Sequence, residues 1–329
     1  MTQFARPVQL RGMSCAELSA GGYFALIAPC MGSNVLRLRD TRHGIEFFRF
    51  DDGFFEAEPG ARSVLYGFST LYLPNRLDRG LLKTSDAVYR FPVNEPQLDN
   101  YIHGFLHQRS HTLARLSVQE DTALAETEYL YDENDPFFEH FPVKFRAEIR
   151  YRLSSRGLEQ AYTLRNLSDR RLPVGLGSHT AIRAPFMENG SPENIRMTLP
   201  AGEELFLDER CLCTGESAET EQCALYRGGG LNPALPDINN RMFYAESIGD
   251  LHGVTLRDTQ SGKAIAYKTG PEYGFWLVWN CGGGQGFFCP EPMTAMINAP
   301  NLPLPPEKTG YRELAPGESF TAHQHFFTV

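Results

Sequence analysis

The chain has 329 residues, 42% hydrophobic and 22% charged, with a formal net charge of −9. That balance describes a globular protein with a sizeable core, and the absence of any lysine/arginine run argues against nucleic acid as a partner. No stretch approaches the roughly 20 apolar residues that span a bilayer, and the opening MTQFARPVQLRGMS lacks the apolar segment of a secretory leader, so no membrane partner is expected. Seven cysteines, an odd count in a long chain, fit a reducing cytoplasm better than a disulfide framework. Cys211 and Cys213 lie too close together for a zinc knuckle and no CxxC pair occurs, so no structural metal is expected.

Thirty glycines and 22 prolines, spread throughout, argue against a helical protein. Taken in chain order, short period-two alternations occur at residues 112–118, 145–153, 195–199, 263–268 and 319–326. The clearest is FRAEIRYRL at 145–153. Phe145, Ala147, Ile149, Tyr151 and Leu153 point one way, and Arg146, Glu148, Arg150 and Arg152 the other, which predicts a strand with one wet face. Turn clusters such as SSRG (154–157), NLSD (166–169) and LAPGE (314–318) separate these runs, and no segment sustains an apolar repeat at helical spacing. The expected fold class is all-β, with many antiparallel strands packed as one large sandwich. Strand-and-turn texture continues from about residue 10 to the end without a linker, which predicts a single domain over 1–329. The glycine clusters 228–230 and 282–284 are not followed by Lys-Ser/Thr and open no helix, so they read as tight turns or close backbone approaches rather than phosphate cradles.

Four stretches place ionisable groups in apolar or turn-like surroundings. Arg76 follows Pro74-Asn75, His103 precedes Gly104 within NYIHGFLHQR, and His179 sits in VGLGSHTAIRAPF. Glu291 stands between Pro290 and Pro292. Each proline restricts the backbone there, which predicts a carboxylate on a stiff turn, partly dry and suited to act as a base. Taken singly, each has a plainer reading: an ion-paired arginine, a hydrogen-bonded core histidine, a turn carboxylate capping a backbone amide. Their chemistry depends on convergence in space. Trp276, Trp279, Phe287 and Phe288 precede Glu291 and supply either strand core or a face on which a sugar stacks. His323 and His325 share one face of the last strand and are expected to face solvent.

The order Asn75-Arg76, His103-Gly104, Gly177-Ser178-His179, then Glu291-Pro292-Met293-Thr294 with Asn298-Ala299 resembles the aldose 1-epimerase (galactose mutarotase) family. The stretch 140–179 resembles the family's approach to its second histidine, and 16–40 resembles its usual start, so the resemblance covers nearly the whole chain. It implies a large antiparallel β-sandwich with an open sugar-binding groove, and interconversion of α and β anomers of a free aldose by ring opening. It assigns Glu291 as base and His179 as acid, with His103 donating to sugar oxygens or sharing the acid role. Arg76, after Asn75, would hold a sugar hydroxyl or orient Glu291. No cofactor is implied.

The sequence also departs from the family. Where an aspartate usually grips sugar hydroxyls, this chain reads NPALPDINNRMFYAES at 232–247, which offers Asp237, Asn239 or Asn240. Thr180-Ala181 follow the second histidine where many members have proline and an aromatic, and His111 stands where an aromatic is expected. These changes bear on the substrate more than on the chemistry. A phosphorylated or sulfonated sugar is a related substrate that Arg109 or Arg183 would suit. A non-catalytic carbohydrate-binding protein would not need both histidines and Glu291, and a glycoside hydrolase would need a second carboxylate across the bond.

Overall fold

The computed structural model describes residues 2–329, and two large antiparallel sheets dominate it. From one edge the larger sheet runs Phe4–Leu10, Met13–Ala20, Tyr23–Ala28, Asn34–Asp40, Phe68–Leu71, Gly177–Thr180, Phe287–Met293, Phe275–Trp279, Arg241–Ala245, Ala201–Leu207 and Cys213–Ala218. The smaller runs Thr112–Gln119, Thr122–Tyr131, Phe145–Ser154, Gly157–Asn166, Ser319–Thr328, Ala264–Thr269, Gly253–Asp258 and Ile195–Thr198. All five alternating runs read from the sequence are strands of this second sheet. The last strand of the chain is inserted in its middle, paired on both sides.

Period-two patterning explains how the sheets meet. Phe145, Ala147, Ile149, Tyr151 and Leu153 are all buried, while Glu148, Arg150 and Arg152 face solvent. Their inner faces join Ala16, Leu18, Phe68, Trp276 and Val278 of the larger sheet in one contiguous core. Burial of this kind contributes roughly 25 cal/mol per Å² of apolar surface and holds the two layers face to face. A polar chain also crosses this core. Ser178 Oγ donates to Gln324 Oε1 (3.1 Å), Gln324 Nε2 to Gln160 Oε1 (2.8 Å), and Gln160 Nε2 to the Tyr151 hydroxyl (3.3 Å). The bonds to Gln324 satisfy Ser178 toward the smaller sheet, so its neighbour His179 projects to the opposite, outer face.

Four short helices, Gly53–Glu56, Pro59–Leu65, Glu221–Arg227 and Pro306–Thr309, occur in connections. None exceeds seven residues, too short for a helical repeat to show in the sequence. All seven cysteines are free.

Candidate active site

Glu291 lies in a strand, which corrects the expected turn. Phe287–Met293 pairs along its length with Phe275–Trp279, in the register Trp276↔Pro292, Leu277↔Glu291 and Val278↔Pro290. On its other side the ladder closes only at Gly177↔Met293 and again at Ile182↔Phe288 and Arg183↔Phe287. Prolines 290 and 292 have no N–H to donate, so a strand this central tolerates them only where it is not paired. The ladder opens between those two points, and His179 and Glu291 lie in the opening. Their side chains meet there, with His179 Nε2 3.3 Å from Glu291 Oε1, and both residues are buried.

His103 reaches the same place from a loop. It and Gly104 both adopt left-handed backbone, at φ +67° and +65°. A Cβ at Gly104 would lie 1.9 Å from the Tyr72 carbonyl oxygen, so only glycine fits. The His103 N–H donates to the Asn75 carbonyl at 2.9 Å, which fastens the histidine loop to the Asn75-Arg76 segment. The result is an edge-to-face pair of imidazoles, His103 and His179, with ring centroids 5.3 Å apart. Trp279 meets His179 from another side at 5.6 Å.

Burial sets the electrostatics. It pushes the Glu291 carboxyl up to about 8, partly opposed by the Arg76 charge. It drives His179 down to about 3, with the charge of His107 adding to the effect. His103 also falls well below the ordinary histidine value, through burial first and then its neighbours His179, His107 and Arg76. Both pair members are therefore pushed toward neutrality, and one shared proton is the natural state of the His179–Glu291 pair. His103 Nδ1, His179 Nδ1 and the Ser69 hydroxyl, which sits opposite His179 in register, are buried without a protein hydrogen-bond partner. Buried polar atoms of this kind are normally satisfied, and sugar hydroxyls have the matching chemistry.

Arg76 is present but does not reach Glu291 with a hydrogen bond. Its Nε and Nη2 grip Glu95 at 2.8 and 2.9 Å, and Nη1 donates to Asn75 Oδ1 at 3.3 Å. Sequence reading passed over Glu95. Its signal was there, since Glu95 precedes Pro96 as Glu291 precedes Pro292. Asn298 secures this segment by donating its N–H to the Arg76 carbonyl and accepting from Asp78 N–H. His107, a further buried histidine that sequence reading did not single out, bears electrostatically on both site histidines.

The 232–240 segment packs beside Trp279 because buried Asn280 donates to the carbonyls of Pro233 and Pro236. Asp237 is exposed and accepts the Asn239 N–H at 2.9 Å, a local turn. Asn239 Oδ1 accepts from the N–H groups of Asn280 (3.0 Å) and Gly282 (3.3 Å), and Asn240 is half-buried at φ +54°. Of the four aromatics before Glu291, Trp276 and Phe288 belong to the inter-sheet core, while Trp279 and Phe287 lie on the site face. His111 is buried against Ser33 and Tyr129. His323 is exposed and bonds Glu272, and His325 is half-buried with Nε2 on the Arg156 carbonyl. No group of three histidine, cysteine or carboxylate side chains arranged for a metal occurs among the described residues. A hollow of about 480 Å³, lined by Arg150, Arg152, Lys268 and His323 among others, lies on the smaller sheet. None of the His103, His179 and Glu291 cluster lines it.

A family model described as aldose 1-epimerase matches residues 14–326. A galactose mutarotase-like protein from Clostridium acetobutylicum is similar in structure with a TM-score of 0.94 and 30% identity, over 99% of this chain and 98% of that one. Galactose 1-epimerase from Lactobacillus acidophilus superposes with a TM-score of 0.74 at 17% identity, over 100% and 99% of the two chains. The GalM/aldose epimerase homologue from C. elegans does so at 0.68 and 14%, over 94% and 96%. The last two likenesses concern the fold alone.

Proposed function

The chain belongs to the aldose 1-epimerase family, and from that premise we propose that it is a mutarotase, interconverting the α and β anomers of a free aldose. The observation that carries this reading is the buried His179–Glu291 pair, 3.3 Å apart, with His103 at its side. Mutarotation needs one group to take the proton of the anomeric hydroxyl and another to give a proton to the ring oxygen. A carboxylate and an imidazole sharing one proton supply both.

In this reading the single proton of the pair passes across the 3.3 Å contact to His179 when the sugar is bound, and Glu291 then takes the proton from the hydroxyl on C1 while His179 protonates the ring oxygen. The C1–O5 bond breaks, leaving an aldehyde and a C5 hydroxyl. Rotation about C1–C2 presents the other carbonyl face, and the two transfers run in reverse to close the ring. Catalyst and proton count are restored. His103 donates a hydrogen bond to a sugar oxygen or shares the acid role, and Asn75 and Arg76 hold hydroxyls. Arg76 keeps donors to spare after binding Glu95, and the Glu95 carboxylate steadies the fork. Asn239 has its carbonyl engaged and offers its amide N–H groups, while exposed Asp237 offers an acceptor at the rim. Glu95 is the other buried carboxylate nearby. Its lock on Arg76 leaves no free carboxyl for the two-carboxylate arrangement of a glycoside hydrolase. The seven unpaired cysteines support a reducing cytoplasm as its compartment.

The test is polarimetric. Freshly dissolved α-glucose and α-galactose should reach equilibrium rotation faster with catalytic amounts of protein than with buffer alone. A panel of aldoses giving only the spontaneous rate would refute the proposal.

A further inference from the structure

The face that carries His179 and Glu291 also carries two arginines that acid–base chemistry leaves unused. Arg183 sits directly opposite Phe287 in register, and residues so paired project to the same side of a sheet. Phe287, Cys289 and Glu291 alternate along one strand and share that side. Ala181 clusters with Phe287 and Cys289, so the run His179, Ala181, Arg183 keeps to this face too. Arg49 joins them from a neighbouring segment. Its N–H donates to the Ala181 carbonyl at 2.8 Å, and its guanidinium lies 4.5 Å from the Tyr66 ring centroid and 4.7 Å from that of Phe287.

These two cations differ from most arginines of an acidic chain. The charge of Arg76 is matched by Glu95, and that of Arg109 by Asp135 at 2.7 and 3.0 Å, which removes Arg109 from the two candidates the sequence offered for a charged substituent. Arg183 has no hydrogen-bond or ion-pair partner for its guanidinium among the described residues. Arg49 touches only the half-exposed carboxylate of Asp51, through Nε at 3.4 Å, which leaves its terminal amino groups free. Such a rim contact contributes little. The flanking rings meanwhile hold the guanidinium in place.

The distance suits one sugar. At about 3.3 Å per residue, the backbone of Ala181 lies about 7 Å, and that of Arg183 about 13 Å, from His179 along the strand. Both arginine side chains are long enough to reach back over part of that gap. A row of rings connects the two ends: His179 to Trp279 (5.6 Å), Trp279 to Phe287 (6.0 Å), Phe287 to Arg49 (4.7 Å). It offers an apolar floor to the flat face of a pyranose, with proton transfer at one end and cations at the other.

We propose that Arg49 and Arg183 form an oxyanion subsite that selects aldoses bearing a phosphate, sulfonate or carboxylate remote from the anomeric carbon. The orientation of the sugar rests on the mutarotase reading above, which this subsite deepens. Guanidinium forks match oxyanions in geometry and charge, and a planar arginine already held between rings loses little freedom on binding.

Calorimetric binding of glucose 6-phosphate, glucuronate and glucose, run beside polarimetry of the same sugars, tests the proposal. Glucose 6-phosphate should bind at least about tenfold more tightly than glucose, as expected for hydrogen bonds to a charged group. Added salt should reduce that preference, and Arg183→Gln should lower it by about tenfold. Arg49→Gln removes a ring-stacked group and is to be read only beside a wild-type melting curve, whereas Arg183→Gln removes a side chain with no partner. Charged sugars bound preferentially but not mutarotated would uphold the subsite and refute the mutarotase reading. Rapid turnover of glucose with no preference for either anionic sugar would overturn the subsite and leave that reading standing. A preference that survives the Arg49→Gln/Arg183→Gln double variant would overturn it as well.

Discussion

At the scale of single residues, the shared proton of His179 and Glu291 makes the pH profile a direct probe. Glu291 is pushed up to about 8, so the pair keeps its proton until the pH rises through that value. Above it the base remains but the acid is gone, and kcat/KM should fall. His179 is driven down to about 3, so a second proton is refused until well below the ordinary histidine range, and activity should persist on the acid side. Polarimetric rates from pH 5 to 9, corrected for spontaneous mutarotation, check this; a profile rising through pH 8 would show that the singly protonated pair is not the active form. Glu291→Gln keeps the shape and removes the base. Turnover should drop by roughly 10²–10⁴-fold with sugar affinity within about tenfold. His179→Ala should cost about as much and His103→Ala less. Near-normal turnover of the glutamine variant would remove Glu291 from the mechanism.

At the scale of elements, the site depends on two devices: the opened ladder beside Phe287–Met293 and the doubly left-handed His103-Gly104 turn. Gly104→Ala should destabilise the protein by more than about 1 kcal/mol, since the backbone is at φ +65° and the added methyl meets the Tyr72 carbonyl. His103 would lose its place, so activity should fall with stability; a wild-type melting temperature in this variant would show the turn to be more pliable than its geometry. The Arg76–Glu95 pair makes a separate prediction. Glu95→Ala strands a buried guanidinium and should cost about 3–5 kcal/mol in urea unfolding, more than the loss of an exposed pair such as Arg79–Asp99. Both devices were partly legible. The His-Gly dipeptide and the two prolines around Glu291 stand out in the sequence. The prolines suggested a turn because local rules do not reveal that a central strand can leave one edge unpaired. Arg76 was read as a ligand of sugar or of Glu291 because Glu95, nineteen positions away, is joined to it only by folding.

For the molecule as a whole, three buried histidines and the half-buried His103 dominate the response of stability to acid. His107 and His111 are lowered to about 4 and His179 to about 3, and His103 is lowered well below its ordinary value, all chiefly by burial. The unfolded chain takes up these protons near pH 6.5 while the folded protein refuses them. Stability is therefore present above pH 6.5 and is lost as pH falls toward the folded values, by up to ~1.4 kcal/mol per unit for each histidine. Glu291 acts in the opposite sense. Its raised value means that stability is lost as pH rises from 4.5 to about 8, so one of the four protons is offset between pH 4.5 and 6.5. Melting temperatures should drop steeply from pH 6.5 to 5; a flat response there would mean that these histidines are not dry in solution.

The sequence by itself determined five of the eight strands of the smaller sheet and the ionisable groups available to the candidate site. A strand with one wet face writes its period of two directly into the chain, as FRAEIRYRL does at 145–153. The motif order carried the family, since each of Asn75-Arg76, His103-Gly104, Gly177-Ser178-His179 and Glu291-Pro292 is local. Tertiary structure alone decided which aromatics face the site. Trp276 and Trp279 differ by three positions along one strand, an odd step that puts them on opposite sides of the sheet. It also decided which cations are spent. Arg76, Arg109 and Arg183 read alike in one dimension, yet Glu95 and Asp135 hold the first two and no described side chain holds the third. Local propensity is a property of neighbours in the chain. Burial, charge pairing and the proton shared by His179 and Glu291 belong to neighbours in space, here brought together by strands 112 positions apart.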